Sequence, residues 1–154
     1  MQERIFTPAG MTDTSLDPDR ITEPPLVHGY DGRKDVTLDD LTIAWAAGGV
    51  VASARDLDAF LQALGGGRFL DSSMFQDMAR PRGELANQGQ LEYGLGLART
   101  DPRCGTVLGH GGSLLGFLTA AWTSEDGERS VVAMVSDQGS HNVLDGLVTT
   151  ALCG

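Results

Sequence analysis

The chain has 154 residues, of which 41% are hydrophobic, and a formal net charge of −10. This is enough for one domain with a real core, or for part of a larger one. No apolar run approaches the roughly 20 residues of a membrane-spanning helix. Lys34 is the only lysine and there is no Lys/Arg cluster, which argues against nucleic acid as a partner; the acidity reads as solubility.

Residues 1–37 are rich in Pro, Gly, Thr and Asp and predict only short elements. Residues 1–6 read as the end of a helix running into Thr7-Pro8-Ala9-Gly10, with neither the basic nor the apolar region of a signal peptide. Pro24-Pro25 and Asp31-Gly32 signal turns or extended chain. From Leu38 to about Arg80 the pattern is helical. Asp39 or Asp40 caps a short helix through Leu41, Ile43, Ala44 and Trp45, which Gly48-Gly49 breaks. Ser53 is the N-cap expected for a helix over 54–64 with Asp56 near its positive end. Leu57, Phe60, Leu61 and Leu64 recur at helical spacing on its core face, and Gly65-Gly66-Gly67 ends it. Ser72 or Ser73 caps the next helix, through Met74, Phe75 and Met78, which stops before Pro81.

From Tyr93 the period changes to that of strands. Residues 93–98 and 106–108 are expected to be short strands and 114–124 a longer one. Glu125-Asp126-Gly127-Glu128 is a hairpin turn, and 129–136 is the returning strand. Residues 142–152 read as an amphipathic helix with Val143, Leu144, Leu147, Val148 and Leu152 on one side. Helices, then an antiparallel meander, then a helix make the fold class α+β, divided into a helical and loop region over 1–90 and the sheet with its helix over 91–154. One terminal helix covers only one face of such a meander, so the sheet wants a further covering element, a hint that part of the fold lies elsewhere.

The most informative stretch is Gly109-His110-Gly111-Gly112-Ser113. Glycines around a histidine beside a strand let a ligand approach the main chain, which side chains would block; the bland alternative is a bulge or tight bend. If the strand lines an acyl-transfer site, the Ser113 N–H is a candidate oxyanion donor, a contact worth about 3 kcal/mol in a working site. His110 is either a buried structural histidine or a polar group near the reacting carbonyl; His28 and His141 are read as bystanders. No serine has the Gly-x-Ser-x-Gly setting of an α/β-hydrolase nucleophile. The glycine spacing makes neither a dinucleotide fingerprint nor a P-loop. Three scattered histidines and no Cys-x-x-Cys give no metal site and imply no cofactor. Cys104 and Cys153 are either two buried thiols or a disulfide; a bond would stabilise the chain by roughly 4 kcal/mol and place it outside the cytosol.

Tyr93-Gly94-Leu95-Gly96-Leu97, Gly109-His110-Gly111-Gly112-Ser113 and Gly116-Phe117 resemble the third-motif region of the serine β-lactamase / penicillin-binding-protein family, nearest to secreted actinobacterial D-alanyl-D-alanine carboxypeptidases. Trp45-Ala46-Ala47-Gly48-Gly49-Val50-Val51-Ala52-Ser53 and Phe6-Thr7-Pro8-Ala9-Gly10-Met11-Thr12-Asp13-Thr14 resemble the same enzymes, and Cys104 with Cys153 resembles their single disulfide. The resemblance covers nearly all of this chain but only the C-terminal half of the family's domain. It implies a β-lactamase/transpeptidase-like fold and a secreted serine hydrolase working through an acyl-enzyme. The implied substrates are a peptidoglycan-type D-Ala-D-Ala peptide, with β-lactams or small esters as alternatives, and a non-catalytic binding fragment is the competing class. By resemblance His110 belongs to the third motif, the Ser113 amide to the oxyanion hole, Trp45 packs on substrate, and Gly111, Gly112 and Arg99 line the binding site. Gly111 stands where those peptidases carry a threonine hydroxyl. Ala98 stands where they carry an arginine, with Arg99 one step on and so turned to the other strand face. Both changes weaken recognition of a terminal carboxylate. There is no Ser-x-x-Lys, since Asp31 lies three residues before Lys34, and neither Tyr30 nor Tyr93 begins a Tyr-x-Asn. The implied partner is therefore the N-terminal half of the same domain.

Overall fold

The structure is a computed structural model and describes residues 1–16, 27–37, 41–84, 91–137 and 139–154. Pro24-Pro25 and the two candidate caps Asp39 and Asp40 lie outside the described residues. The chain opens with a π-helical turn, Gln2–Phe6, that continues as α1, Thr7–Ala9, and closes on Gly10 in the left-handed conformation at φ 76°. This is the expected helix end. The hairpin of β1 (Tyr30–Asp31) and β2 (Lys34–Asp35) follows. A 3₁₀ segment, Leu41–Ala47, is kinked at Trp45.

Helix α2, Ala54–Gly65, starts where Ser53 predicts, its side chain accepting the Asp56 N–H at 3.2 Å. Asp56 is buried in that first turn and accepts the Asp13 N–H and the Thr14 hydroxyl, both at 2.7 Å. A carboxylate at the positive end of a helix thus pins the segment after α1. Helix α3, Ser72–Ala79, is capped by Asp71 rather than by either serine. Its carboxylate accepts the Met74 N–H at 2.9 Å and the Ser73 hydroxyl at 2.7 Å, and a charged acceptor one residue earlier outcompetes a hydroxyl.

The sheet has six antiparallel strands in simple sequence order: β3 (Gly83–Glu84), β4 (Glu92–Tyr93), β5 (Ala98–Thr100), β6 (Val107–Leu114), β7 (Phe117–Ser124) and β8 (Ser130–Val135). Three boundaries differ from the sequence expectation. The expected strand 93–98 is two strands, because the Gly-Leu-Gly turn closes with the Gly94 N–H on the Leu97 carbonyl at 2.8 Å and Gly96 at φ 72°. The glycine run 109–112 is neither bulge nor bend; β6 keeps one register with β7 from Val107↔Ser124 to Leu114↔Phe117. The expected strand 114–124 is interrupted at once by a two-residue turn, Leu115 at φ 44° and Gly116 at φ 82°. The sheet also begins at β3, ahead of the boundary expected at residue 91.

Alternation along these strands sorts the two faces. Ala98, Val107, Leu118, Ala120 and Trp122 are buried with Leu144 and Leu152 of α4, His141–Cys153. Val143 and Leu147, expected on the same helix face, are 57% and 52% exposed: only the stripe at Leu144, Val148 and Leu152, four residues apart, reaches the sheet. The opposite face does not lack a covering element, since α2 packs against β7 and β8 and the Ser130 hydroxyl donates to Asp58. The outer side of α2 carries a second core of Phe6, Ala9, Met11 and Ala63, joined by Leu57, Phe60 and Phe69. Cys104 and Cys153 form a disulfide, Cα to Cα 5.2 Å, tying the β5–β6 connection to the end of α4.

Candidate active-site wall

Strand β5 is three residues long and pairs only with Val107, Leu108 and Gly109. Strand β6 runs on for five more residues, to Leu114, paired with β7 on its other side. His110, Gly111, Gly112 and Ser113 therefore lie on a stretch that β5 leaves uncovered, and all four are exposed.

The three glycines of this stretch are there for different reasons. A Cβ on Gly109 would sit 2.2 Å from the Ala121 carbonyl oxygen and 2.8 Å from the Trp122 Cα. No side chain fits, so this glycine is required by β7. A Cβ on Gly111 would come no closer than 3.7 Å to the Thr119 carbonyl, and one on Gly112 no closer than 4.0 Å to the Thr119 Cβ. Neither has a positive φ. Nothing inside the described residues demands glycine at these two positions, although glycine weakens a strand by about 0.5–1 kcal/mol relative to alanine. What their bareness provides is access: another molecule can lie against the main chain.

His110 stands at the start of this open stretch with both ring nitrogens engaged. Nδ1 lies against the Gly111 carbonyl oxygen, which can only accept, so Nδ1 carries the proton. Nε2 is 2.8 Å from the Tyr93 hydroxyl, and the two rings meet edge to face with centroids 5.6 Å apart. In the sequence Tyr93 is part of the Tyr-Gly-Leu-Gly-Leu motif and carries no role of its own; its one local signal is an aromatic residue directly before a Gly-x-Gly turn.

The other expected site residues divide. The Trp45 segment is brought to the wall: the vacant Cβ position of Gly48 lies 3.3 Å from the Ala44 Cβ and 3.9 Å from Leu114 at the end of β6. Trp45 is 78% exposed on a backbone at φ 39°, ψ −124°, a conformation costly for a bulky residue. Arg99 is not brought there. It is held among Glu92 at 3.5 Å, Asp101 at 3.7 Å and Glu125 at 3.4 Å, with the Thr106 hydroxyl at 3.2 Å. Its partners in the β5–β6 connection and the β7–β8 turn draw it toward the opposite end of β6 from Ser113. The Cys104–Cys153 bond is at that end too and has a structural role.

The hairpin β1–β2 props the near end. A Cβ on Gly116 would fall 2.6 Å from both the Tyr30 nitrogen and the Val36 Cγ2, and one on Gly29 would enter the Phe117 ring. The hairpin is clamped by Asp35, which accepts the Thr37 N–H at 3.0 Å, the Thr37 hydroxyl and His28 Nδ1 at 2.7 Å. Those bonds, the Thr37 hydroxyl first, hold the Asp35 carboxyl down at about 2. His28, read as a bystander, is a partner in this clamp. Among the described residues no three His, Cys, Asp or Glu side chains are grouped to hold a metal ion. An open cleft of about 430 Å³ between Leu70, Met74, Met78 and Leu95 has no wall residue in its lining.

Comparison with known proteins identifies the family and the fold. The family profile described as Beta-lactamase matches residues 1–150. A D-aminopeptidase of Cereibacter sphaeroides is 30% identical over 154 residues, covering 97% of this chain and 30% of that protein. The crystal structure of a D-stereospecific amidohydrolase from a Streptomyces species superposes with a TM-score of 0.85 at 29% identity, covering 99% of this chain and 47% of that one. That of a D-amino acid amidase from Ochrobactrum anthropi SV3, complexed with D-phenylalanine, gives 0.74 at 28% identity, covering 88% and 46%. The chain spans about a third of that curated relative and about half of each solved one. It belongs to the β-lactamase family.

Proposed function

We propose that these residues are one wall of the acyl-transfer site of a serine hydrolase acting on amides or peptides of D-amino acids, and that the wall binds substrate without attacking it. The observation that carries the reading is the open strand after His110, with two glycines that packing does not require. A substrate carbonyl lying along it would meet the Ser113 amide as an oxyanion donor, with Trp45 flanking the same end. In the reaction proposed, a serine Oγ outside these residues attacks the amide carbon and the amine departs with a proton. Water then releases the D-amino acid and regenerates the serine. His110 is not the base, because its Nε2 lone pair is already directed at the Tyr93 hydroxyl.

Two observations favour an amide over the carboxypeptidase substrate that the sequence resemblance suggested. Arg99 is neutralised away from the wall by three carboxylates, so it offers no cation to a terminal carboxylate. The named relatives are a D-aminopeptidase, a D-stereospecific amidohydrolase and a D-amino acid amidase. The disulfide suits an oxidising compartment, and we place the protein outside the cytosol. The test has two arms. The 154-residue chain incubated with a fluorescent penicillin is expected to take up no label, and stoichiometric labelling would refute the division of the site. The full-length protein is expected to hydrolyse D-alanine p-nitroanilide faster than its L-enantiomer, and equal rates would refute the substrate class.

A further inference from the structure

We propose that Tyr93 is a positioning residue of this wall, setting the orientation of the Gly111 peptide through the His110 ring. The inference rests on the reading of β6 as the substrate-binding wall and adds a residue to it.

Hydrogen-bond direction fixes the relay. The Gly111 carbonyl can only accept, so His110 donates from Nδ1. In the neutral ring Nε2 then has a lone pair and no proton, and the Tyr93 O–H donates to it at 2.8 Å. Hydroxyl, ring and carbonyl form one line of hydrogen bonds that ends on the main chain of the wall. Gly111 lacks the Cβ that restricts other residues. With only distant neighbours at its vacant Cβ position, it has no side-chain packing to add to the pairing with β7 in fixing its peptide plane.

Tyr93 is well placed as the fixed end of this line. Its ring packs against the buried sheet core and edge-on against His110. Its carbonyl accepts the Arg82 N–H at 2.8 Å. The following Gly94 is pressed so close that a Cβ there would meet the Met78 carbonyl at 2.1 Å. A site is as precise as the side chains that support it, and Tyr93 gives the His110 ring an anchor outside β6, on β4 of the same sheet.

The experiment is a double-mutant cycle in the full-length protein combined with ¹⁵N spectroscopy of the His110 ring. Tyr93→Phe keeps the ring and removes one hydroxyl. It is expected to lower kcat on D-alanine p-nitroanilide about tenfold, the size of one lost hydrogen bond, with KM within about twofold. His110→Asn keeps a donor for the Gly111 carbonyl but removes the nitrogen that faces Tyr93. In that background Tyr93→Phe is expected to cost less than about twofold, since the two act as a unit. Equal losses in both backgrounds would overturn the proposal. The neutral His110 ring of the wild-type protein at pH 8 is expected to carry its proton on Nδ1; a proton on Nε2 would overturn it as well, and decides the matter if Tyr93→Phe does not fold. Absence of any turnover by the wild-type protein would count against the amide-hydrolase reading, with the ring spectrum still deciding the role of Tyr93.

Discussion

Alanine substitutions at Gly109 on the one hand, and at Gly111 and Gly112 on the other, are expected to act differently on stability although the positions are within three residues of one another. At Gly109 the new methyl would lie 2.2 Å from the Ala121 carbonyl oxygen and 2.8 Å from the Trp122 Cα. These are backbone atoms of the paired strand, so no rotamer change relieves the overlap and β7 must move; overpacking of this kind costs about 1–3 kcal/mol. At Gly111 and Gly112 the nearest atoms are at 3.7 Å and 4.0 Å, which is ordinary contact, and replacing glycine in a strand recovers about 0.5–1 kcal/mol. Urea unfolding followed by the fluorescence of Trp122, which lies buried opposite Gly109, measures both. Gly109→Ala is expected to lower the midpoint, and Gly111→Ala and Gly112→Ala to leave it unchanged or raise it. In the full-length protein the last two are expected to raise KM for a D-amino-acid amide, because the methyl occupies the space where substrate would approach. If Gly111→Ala or Gly112→Ala destabilises the fold by more than about 1 kcal/mol, the glycines serve packing and not the close approach of a substrate.

Replacing Cys104 and Cys153 by serine opens a link across 49 positions and is expected to cost about 4 kcal/mol in the chain-entropy account. Because Arg129 donates to the carbonyls of both Leu152 and Cys104, the variant should remain folded with a lower urea midpoint; an unchanged midpoint would refute the estimate. Leu115→Asn is expected to stabilise by about 1 kcal/mol, since Leu115 and Gly116 hold the paired positive φ values of a two-residue hairpin turn that favours Asn-Gly, and a loss of stability would show that the leucine contacts outweigh the strain. Asp35 is held near 2, below its ordinary 3.8, so the hairpin clamp contributes fully above about pH 4 and is lost as the pH falls through about 2. Wild type and Asp35→Asn should therefore differ at pH 6 and converge near pH 2, and a difference that persists in acid would rule out the carboxylate as its source.

How much of this was legible in the sequence depends on whether a signal was local. The Ser53 cap, the stop at Gly65, the hairpin at Gly127 and the C-terminal helix all follow from residues within a turn of each other. The break between β6 and β7 did not, because Leu-Leu-Gly-Phe reads as continuous apolar strand and the turn is imposed on Leu115 by pairing and by the hairpin seated on Gly116. The run 109–112 hid its strand because alternation cannot be read from glycines; only the register with β7 shows it. For the site, the motif around His110 was visible, as was the step that turns Arg99 away. The Tyr93–His110 bond was not: strand alternation places Tyr93 with the face that packs on α4, and the two rings meet only because β5 ends before the open part of β6.

The proposed wall is supported from within the described residues, whereas the nucleophile proposed for it lies outside them. Each feature that would meet a substrate is supported from within these residues: β6 by its full ladder with β7, its Leu114 end by the hairpin pressed on Gly116, and His110 by Tyr93. Electrostatic stabilisation of a transition state depends on donors already in place when charge develops, and a strand paired along its whole length is the stiffest means of holding backbone amides. A nucleophile can then be delivered by a separate part of the protein, provided that part docks in register with the strand. On this view turnover depends on the position of the serine relative to β6 as well as on the orientation of the Gly111 peptide within it. Substitutions in the support of the wall, such as Gly116→Ala, should then reduce turnover through misplacement of the whole strand.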